Sequence, residues 1–229
     1  MLVKSSGTVA ISILKEGDRR LCVKQFRYLS LRSRLKACVW GSKGLRAWVG
    51  GNGLKARGVP TLDTLALVER REGLGGRDSF LLMEALEEGQ ELDRYVVRGF
   101  DSFRRKKLFI VAFAHWLSAL HKKKIYHRDM KTCNVWVSEK GERWEFLFLD
   151  LEDLSFDATV SETNLFRNLL QLNSSIPKRV SRTDRLRFFY QYLDDRPLVL
   201  DRKDWIRRLI RETQRRGVVY VAPWGVVEE

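Results

Sequence analysis

The chain has 229 residues, 44% of them hydrophobic and 11% aromatic, which suits one domain or two small lobes and argues against a disordered chain. Its 43 Lys and Arg against 29 Asp and Glu give a formal net charge of +14, an attraction for nucleotides, nucleic acid or an anionic membrane surface. Cys22, Cys38 and Cys133 form no Cys-x-x-Cys pair and only three histidines occur, so neither a disulfide framework nor a structural zinc site is expected, and a reducing compartment fits best.

The N-terminal MLVKSSGTVA has no apolar run of secretory type. The longest nearly apolar run, Leu108 to Leu120, is broken by His115 and Ser118 and falls short of the ~20 residues that span a bilayer. Any membrane contact is therefore expected to be peripheral.

In chain order, residues 8–14 and 20–27 are β-rich runs separated by Glu16-Gly17-Asp18, a hairpin signal. Residues 29–40 are basic and partly helical in pattern. Residues 44–57 lead to a stop at Gly58-Val59-Pro60, and Gly50, Gly51 and Gly53 weaken any helix there. Residues 64–69 and 79–84 read as two strands around a turn at Gly73 to Gly76. After Glu87-Glu88-Gly89 the pattern changes to a buried helix over 100–121. Short strands are predicted at 135–137 and 146–149, then helices at 162–173, 183–194 and 201–216.

The strongest feature is His127-Arg128-Asp129-Met130-Lys131-Thr132-Cys133-Asn134. It matches H-R-D-x-x-x-x-N, the catalytic loop of protein kinases, at the right spacing. Phosphoryl transfer needs a positioned nucleophile and cations that neutralise charge on the γ-phosphate. Asp129 can orient an acceptor hydroxyl and take its proton. Asn134 can hold Mg2+, and Lys131 can place a point charge on the transferring group. Asp150, at the end of the apolar run Phe146-Leu147-Phe148-Leu149, stands where a second Mg2+ ligand is expected.

Lys24, on the second strand of the first hairpin, stands where kinases keep the lysine that pairs with the α- and β-phosphates of ATP. Ser6 and Gly7 lie in the turn that would cover those phosphates, although this turn has one glycine and not three. Leu82-Met83-Glu84-Ala85-Leu86 reads as a hinge whose backbone, around Glu84 and Leu86, would pair with adenine. The implied fold is α+β: a bilobal protein-kinase-like chain with a small β-rich N-lobe, residues 1–86, and a larger helical C-lobe, residues 87–229.

Two further stretches sharpen the reading. One holds Leu45-Arg46-Ala47-Trp48, Lys55-Ala56-Arg57-Gly58-Val59-Pro60-Thr61 and Leu65-Ala66-Leu67-Val68-Glu69; the other runs from Leu172-Asn173 through Val180-Ser181-Arg182-Thr183-Asp184-Arg185 to Phe188-Phe189. Both resemble the bacterial lipopolysaccharide core kinases, the Kdo and heptose kinases. The resemblance implies transfer of the ATP γ-phosphate to a sugar hydroxyl of the lipid A–core, with Mg2+, at the cytoplasmic face of the inner membrane. It implies Asp129 as the base, Asn134 and Asp150 as Mg2+ ligands, and Lys24 on the nucleotide phosphates. The glycolipid and the anionic membrane surface are the expected partners; nucleic acid is not.

Several features depart from the kinase pattern. No acidic residue occurs between Lys24 and Asp63, and the place of the glutamate that usually pairs with the lysine falls at Ala47 or Trp48. Asp150 is followed by Leu151-Glu152 and not Phe-Gly, and no Ala-Pro-Glu segment follows. The missing glutamate and the single-glycine turn leave a nucleotide-binding pseudokinase as an alternative, and Lys131 with the intact His-Arg-Asp leaves a Ser/Thr protein kinase, although the absent Ala-Pro-Glu segment counts against a protein substrate and for a small or glycolipid acceptor. The segment 201–216, with Arg207, Arg208 and Arg211 around Trp205, Ile206 and Leu209, reads equally as a lipid-surface helix or as a packed helix with a solvated basic face.

Overall fold

A computed structural model describes residues 2–5, 7–72, 76–86, 88–156, 160–194 and 201–229. The chain divides into two units, Met1–Glu87 with Asp150–Leu154, and Glu88–Leu149 with Ser155–Glu229.

The first unit is built on an antiparallel sheet. Its strands are β1 (Leu2–Ser5), β2 (Val9–Glu16) and β3 (Arg19–Phe26), then, after helices α1 (Leu31–Trp40) and α2 (Lys43–Ala56), β4 (Thr64–Glu72) and β5 (Gly76–Glu84). Their spatial order is β1-β2-β3-β5-β4. The β2–β3 turn pairs Glu16 with Arg19, and Gly17 takes φ 59°, the left-handed conformation that a two-residue hairpin loop demands. Phe26, Leu54, Leu81 and Met83 are buried in its core. β1 was not legible in the sequence, whose β-rich runs begin at residue 8; Gly7 lies in the bend between β1 and β2.

The glycines that argue against a helix at 44–57 are instead what lets α2 pack. Ser42 caps the helix by accepting from the Leu45 N–H, and all fourteen residues from Lys43 to Ala56 are helical. A Cβ on Gly50 would stand 2.2 Å from the carbonyl oxygen of Leu151, and one on Gly44 would stand 2.7 Å from the Ser79 side chain. Each glycine costs the helix about 1 kcal/mol in propensity. Close approach of the helix to Leu151 outweighs it. Gly50→Ala is thus expected to destabilise the protein by about 1–3 kcal/mol, despite the better helix former, because a backbone carbonyl cannot swing aside as a side chain can. A denaturant midpoint that rises in Gly50→Ala would refute this packing argument.

The second unit begins with β6 (Gln90–Glu91), α3 (Leu92–Arg98) and α4 (Phe103–Lys122), followed by β7 (Tyr126–His127), β8 (Val135–Lys140) and β9 (Arg143–Phe148). Beyond β10 (Leu154–Ser155) come α5 (Glu162–Asn173), α6 (Arg182–Leu193) and α7 (Arg202–Arg216), and then the hairpin of β11 (Val219–Ala222) with β12 (Gly225–Glu228). α4 starts at Phe103 because Ser102 caps it, and Gly99, at φ 91°, ends α3 just before. Its buried face, Phe109, Phe113, Leu117 and Leu120, recurs at helical spacing. Phe113 packs against Phe146 of β9 and Phe188 of α6.

α3 and the terminal hairpin were not anticipated. They are joined by the buried carboxylate of Asp93, which accepts from the Val221 and Arg94 N–H groups at 2.9 Å each. Burial pushes the Asp93 carboxyl up despite those two donors. For residues 201–216 the structure has the packed helix. Trp205, Ile206 and Leu209 are buried, Phe166 of α5 meets the Trp205 ring edge-on, and the Trp205 indole donates to Glu162. Those apolar side chains are thereby withdrawn from any lipid surface.

Candidate functional site

The loop after β7 is held through its backbone groups, most of which bond to side chains. The Asp129 N–H donates to His127 Nδ1 (3.2 Å), and the His127 ring, 1% exposed, stacks on Phe148. The Asp129 carbonyl accepts from the Lys131 N–H (2.9 Å) and from Asn134 Nδ2 (2.8 Å). A single 3-10 turn, Thr132–Asn134, then leads into β8, with Met130 fully buried beneath it. This fixed frame leaves the Asp129 carboxylate 39% exposed, with the Lys131 ammonium 3.0 Å away.

Behind the loop stands a row of polar side chains that the sequence reading passed over. Asn168 donates to the His127 carbonyl (2.7 Å), and Gln171 donates to the Arg128 carbonyl (2.8 Å) while accepting from the Met130 N–H (3.1 Å). Ser175 accepts from the Thr132 N–H and receives the Thr132 hydroxyl on its carbonyl. Asn168 also meets His121 Nε2 (3.1 Å), whose Nδ1 lies 2.6 Å from the Tyr192 hydroxyl. The available signal was spacing: Asn168 and Gln171, three residues apart, share one face of α5, and Ser175 follows one turn beyond.

In the first unit, Lys24 on β3 is 5% exposed. Its ammonium donates to Asp150 Oδ1 at 2.7 Å and to Glu152 Oε2 at 3.0 Å. Burial alone would push the Lys24 pKa down, but the Glu152 and Asp150 carboxylates outweigh it and hold the ammonium above its ordinary value. Burial also pushes the Glu152 carboxyl up, against the pull of Lys24 and with the Asp150 charge adding to it. Glu152 answers the question that the missing acid between Lys24 and Asp63 left open. The lysine's second carboxylate comes from two residues after Asp150, held by the 3-10 turn Leu151–Asp153 against α2.

The other predicted residues are less engaged. The Glu84 N–H bonds to the Asp63 carbonyl and the Ala85 N–H to the Arg20 carbonyl, so those donors serve the fold and not a ligand. Leu86 is half-buried and Gly7 is exposed. Ser6 lies outside the described residues. The structure brings Lys24 to Asp150, and Asp129 to Lys131 and Asn134.

The donor chemistry fits Mg2+. Asn134 turns its amide nitrogen to the Asp129 carbonyl, which leaves its oxygen as an acceptor, met by the Cys133 thiol at 3.6 Å; in the first unit the Asp150 side chain is 38% exposed beside Lys24. Among the described residues no three His, Cys, Asp or Glu side chains cluster as a metal cage. Mg2+ characteristically uses one or two protein oxygens and takes the rest from waters and phosphates. The second unit also contains a cavity of about 440 Å3 lined by Phe103, Phe109, Phe113 and Phe188, with Lys106 paired to Asp184 at 2.9 Å and with Arg179 and Arg185 on its wall.

No curated protein matches the sequence. A solved structure of WaaP in complex with acyl carrier protein is similar over 93% of this chain and 87% of that one, with a TM-score of 0.68 at 19% identity. That likeness carries the fold, which is protein-kinase-like. Residues 51–192 match the Lipopolysaccharide kinase (Kdo/WaaP) family, a stretch that includes the loop from His127 to Asn134 as well as Asp150 and Glu152. Because that match spans well over half of the sequence, the chain belongs to the lipopolysaccharide kinase (Kdo/WaaP) family and is a phosphotransferase of that kind.

Proposed function

We propose that the protein transfers the γ-phosphate of ATP to a hydroxyl of an inner-core sugar, Kdo or heptose, of lipopolysaccharide. The carrying observation is the Asp129 carboxylate, exposed on a loop whose backbone is fixed on all sides, with the Lys131 ammonium 3.0 Å away. In this reading Asp129 orients the sugar hydroxyl and takes its proton as the oxygen attacks the γ-phosphorus, and the bond to the β-bridging oxygen breaks to release ADP. Lys131 places positive charge on the transferring group. Asn134 and Asp150 are the proposed Mg2+ ligands, and the metal supplies charge neutralisation on the phosphates. Lys24 pairs with the α- and β-phosphates, Glu152 holds Lys24, the turn at Ser6 and Gly7 covers the phosphates, and the backbone near Glu84 and Leu86 meets the adenine. Residues 1–86 thus serve the nucleotide, and residues 87–229 carry the catalytic loop and acceptor site.

The largely apolar cavity, with Arg179, Arg185 and the Lys106–Asp184 pair on its wall, supports an amphiphilic acceptor over a wholly polar one. We place the enzyme on the cytoplasmic face of the inner membrane, as a peripheral protein; no helix among the described residues is long and apolar enough to cross a bilayer. The pseudokinase alternative drew on the missing lysine partner and on the single-glycine turn, and Glu152 beside Lys24 speaks against the first of these.

The test is phosphate transfer from labelled ATP with Mg2+, offering lipid A–core and a generic protein side by side. Label in the glycolipid supports the reading; label in the protein alone gives a protein kinase, and none in either with ATP bound gives a pseudokinase. The backing of the loop adds a second expectation. Gln171→Ala removes both contacts to the Arg128–Met130 backbone, so kcat should fall by up to about 10²-fold through misplacement of Asp129. The KM for ATP should stay within about twofold, because the proposed phosphate contacts are elsewhere. A change confined to KM would show that Gln171 does not position the loop.

A further inference from the structure

Among the described residues, a long exposed apolar stripe lies elsewhere than on α7. It runs along α1, where Leu31, Leu35 and Val39 are 68%, 59% and 73% exposed, with Leu29 before the helix and Trp40 at its end exposed to a similar degree. Residues 31, 35 and 39 follow one helix face at i, i+4 and i+8, so they form a continuous stripe and not scattered side chains. Arg32 and Lys36 lie beside that stripe, both exposed. The helix rests on β5 through its opposite side, where only Ala37 is buried. Next to Gly41, Leu45 begins a second exposed apolar pair on α2, with Val49 one turn on.

The charge of this region has one sign. From Arg19 to Leu62 there is no aspartate or glutamate, while Arg27, Arg32, Arg34, Lys36, Lys43 and Arg46 stand on or beside the two helices. A stripe of Leu, Val and Trp flanked by Arg and Lys, with no acid to repel phosphate headgroups, has the composition of a helix lying in a lipid interface. Aromatic ends such as Trp40 favour the headgroup level. A core-forming stripe would be buried; the basic rim suits an anionic lipid surface, and an acidic protein, the other occupant such a rim attracts, is distinguished from it by the experiment below.

We propose that α1 and the start of α2 are the surface by which this protein seats on an anionic bilayer, with Leu31, Leu35, Val39 and Trp40 entering the interface and Arg32 and Lys36 meeting lipid phosphates. The inference deepens the membrane-facing reading above, on which it rests for the choice of membrane, and it moves the contact from α7 to the first unit. Its test needs no glycolipid acceptor, so its failure leaves the kinase reading standing.

The experiment is co-sedimentation of the full chain with vesicles of phosphatidylcholine alone and of phosphatidylcholine with about one-third phosphatidylglycerol. Binding to the anionic vesicles only, falling steeply as salt is raised, is expected. The double variant Leu31→Glu/Leu35→Glu should weaken binding by at least about tenfold, since each leucine loses the benefit of apolar burial. Arg32→Glu/Lys36→Glu should do the same, whereas Arg207→Glu/Arg208→Glu on α7 should retain most of the binding. All three pairs change exposed residues, and circular dichroism confirms that each is folded. No binding to anionic vesicles, or loss with the α7 pair but not with the α1 pairs, would overturn the proposal. So would wild-type self-association in light scattering that Leu31→Glu/Leu35→Glu abolishes, or α1-dependent capture of calmodulin, a soluble acidic probe, without capture of vesicles.

Discussion

Asp129→Asn is expected to lower kcat by about 10²–10⁴-fold, the usual contribution of a positioned general base. ATP affinity should stay within about twofold, because the loss falls on the proton-transfer step alone. The substitution suits the question because of how the loop is held. The contacts that Asp129 makes to His127, to the Lys131 N–H and to Asn134 Nδ2 use its own N–H and carbonyl, which asparagine keeps. The side chain's nearest cation is Lys131, in a pair exposed on both sides, 49% and 39%. Such pairs contribute only ~0–1 kcal/mol. The thermal midpoint should therefore barely move, and a fall in kcat can be read as lost chemistry and not lost fold. Steady-state transfer to lipid A–core with ATP varied, alongside a thermal melt, decides the matter. Unchanged turnover in a folded Asp129→Asn protein would remove Asp129 as the base.

What the sequence revealed and what it hid follow from how local each feature is. The run His127 to Asn134 was legible because its chemistry needs contiguous residues at fixed spacing, and the buried helix before it and the strands after it are periodic patterns. α2 was only weakly signalled because helix propensity is a local quantity. The reason its glycines are tolerated, the approach to Leu151 and Ser79, depends on residues far along the chain. Glu152 was hidden for the same reason in reverse. A lysine partner is usually sought on the helix after it, and here the acid comes 128 positions downstream. α7 shows the limit of amphipathic patterns. Its stripe of Trp205, Ile206 and Leu209 suited a membrane and a protein core equally, and burial against α5 chose the core. α1, whose pattern looked weaker, is the helix left with an apolar face uncovered.

Lys24→Met is expected to abolish turnover and, less obviously, to destabilise the fold by about 3–5 kcal/mol, the cost of leaving a buried charge without its partner. Glu152, 7% exposed, is the group left behind; the Asp150 side chain, 38% exposed, can turn to water. Removing the acid instead is milder. Glu152→Gln keeps the size and an acceptor oxygen, and Lys24 retains Asp150 at 2.7 Å, so the fold should lose little. Its effect should appear in the nucleotide. If Glu152 holds Lys24 for the ATP phosphates, the KM for ATP should rise by about tenfold while kcat changes less. The two substitutions are coupled through one contact, so their energies should not add. In Lys24→Met/Glu152→Gln the orphaned charge is gone, and most of the stability lost in Lys24→Met should return although activity does not. A double-mutant cycle in denaturant, run beside ATP kinetics, separates the structural and functional parts of the pair. Strict additivity would show that the two side chains do not share a stabilising contact, and an unchanged KM in Glu152→Gln would show that Asp150 alone positions the lysine.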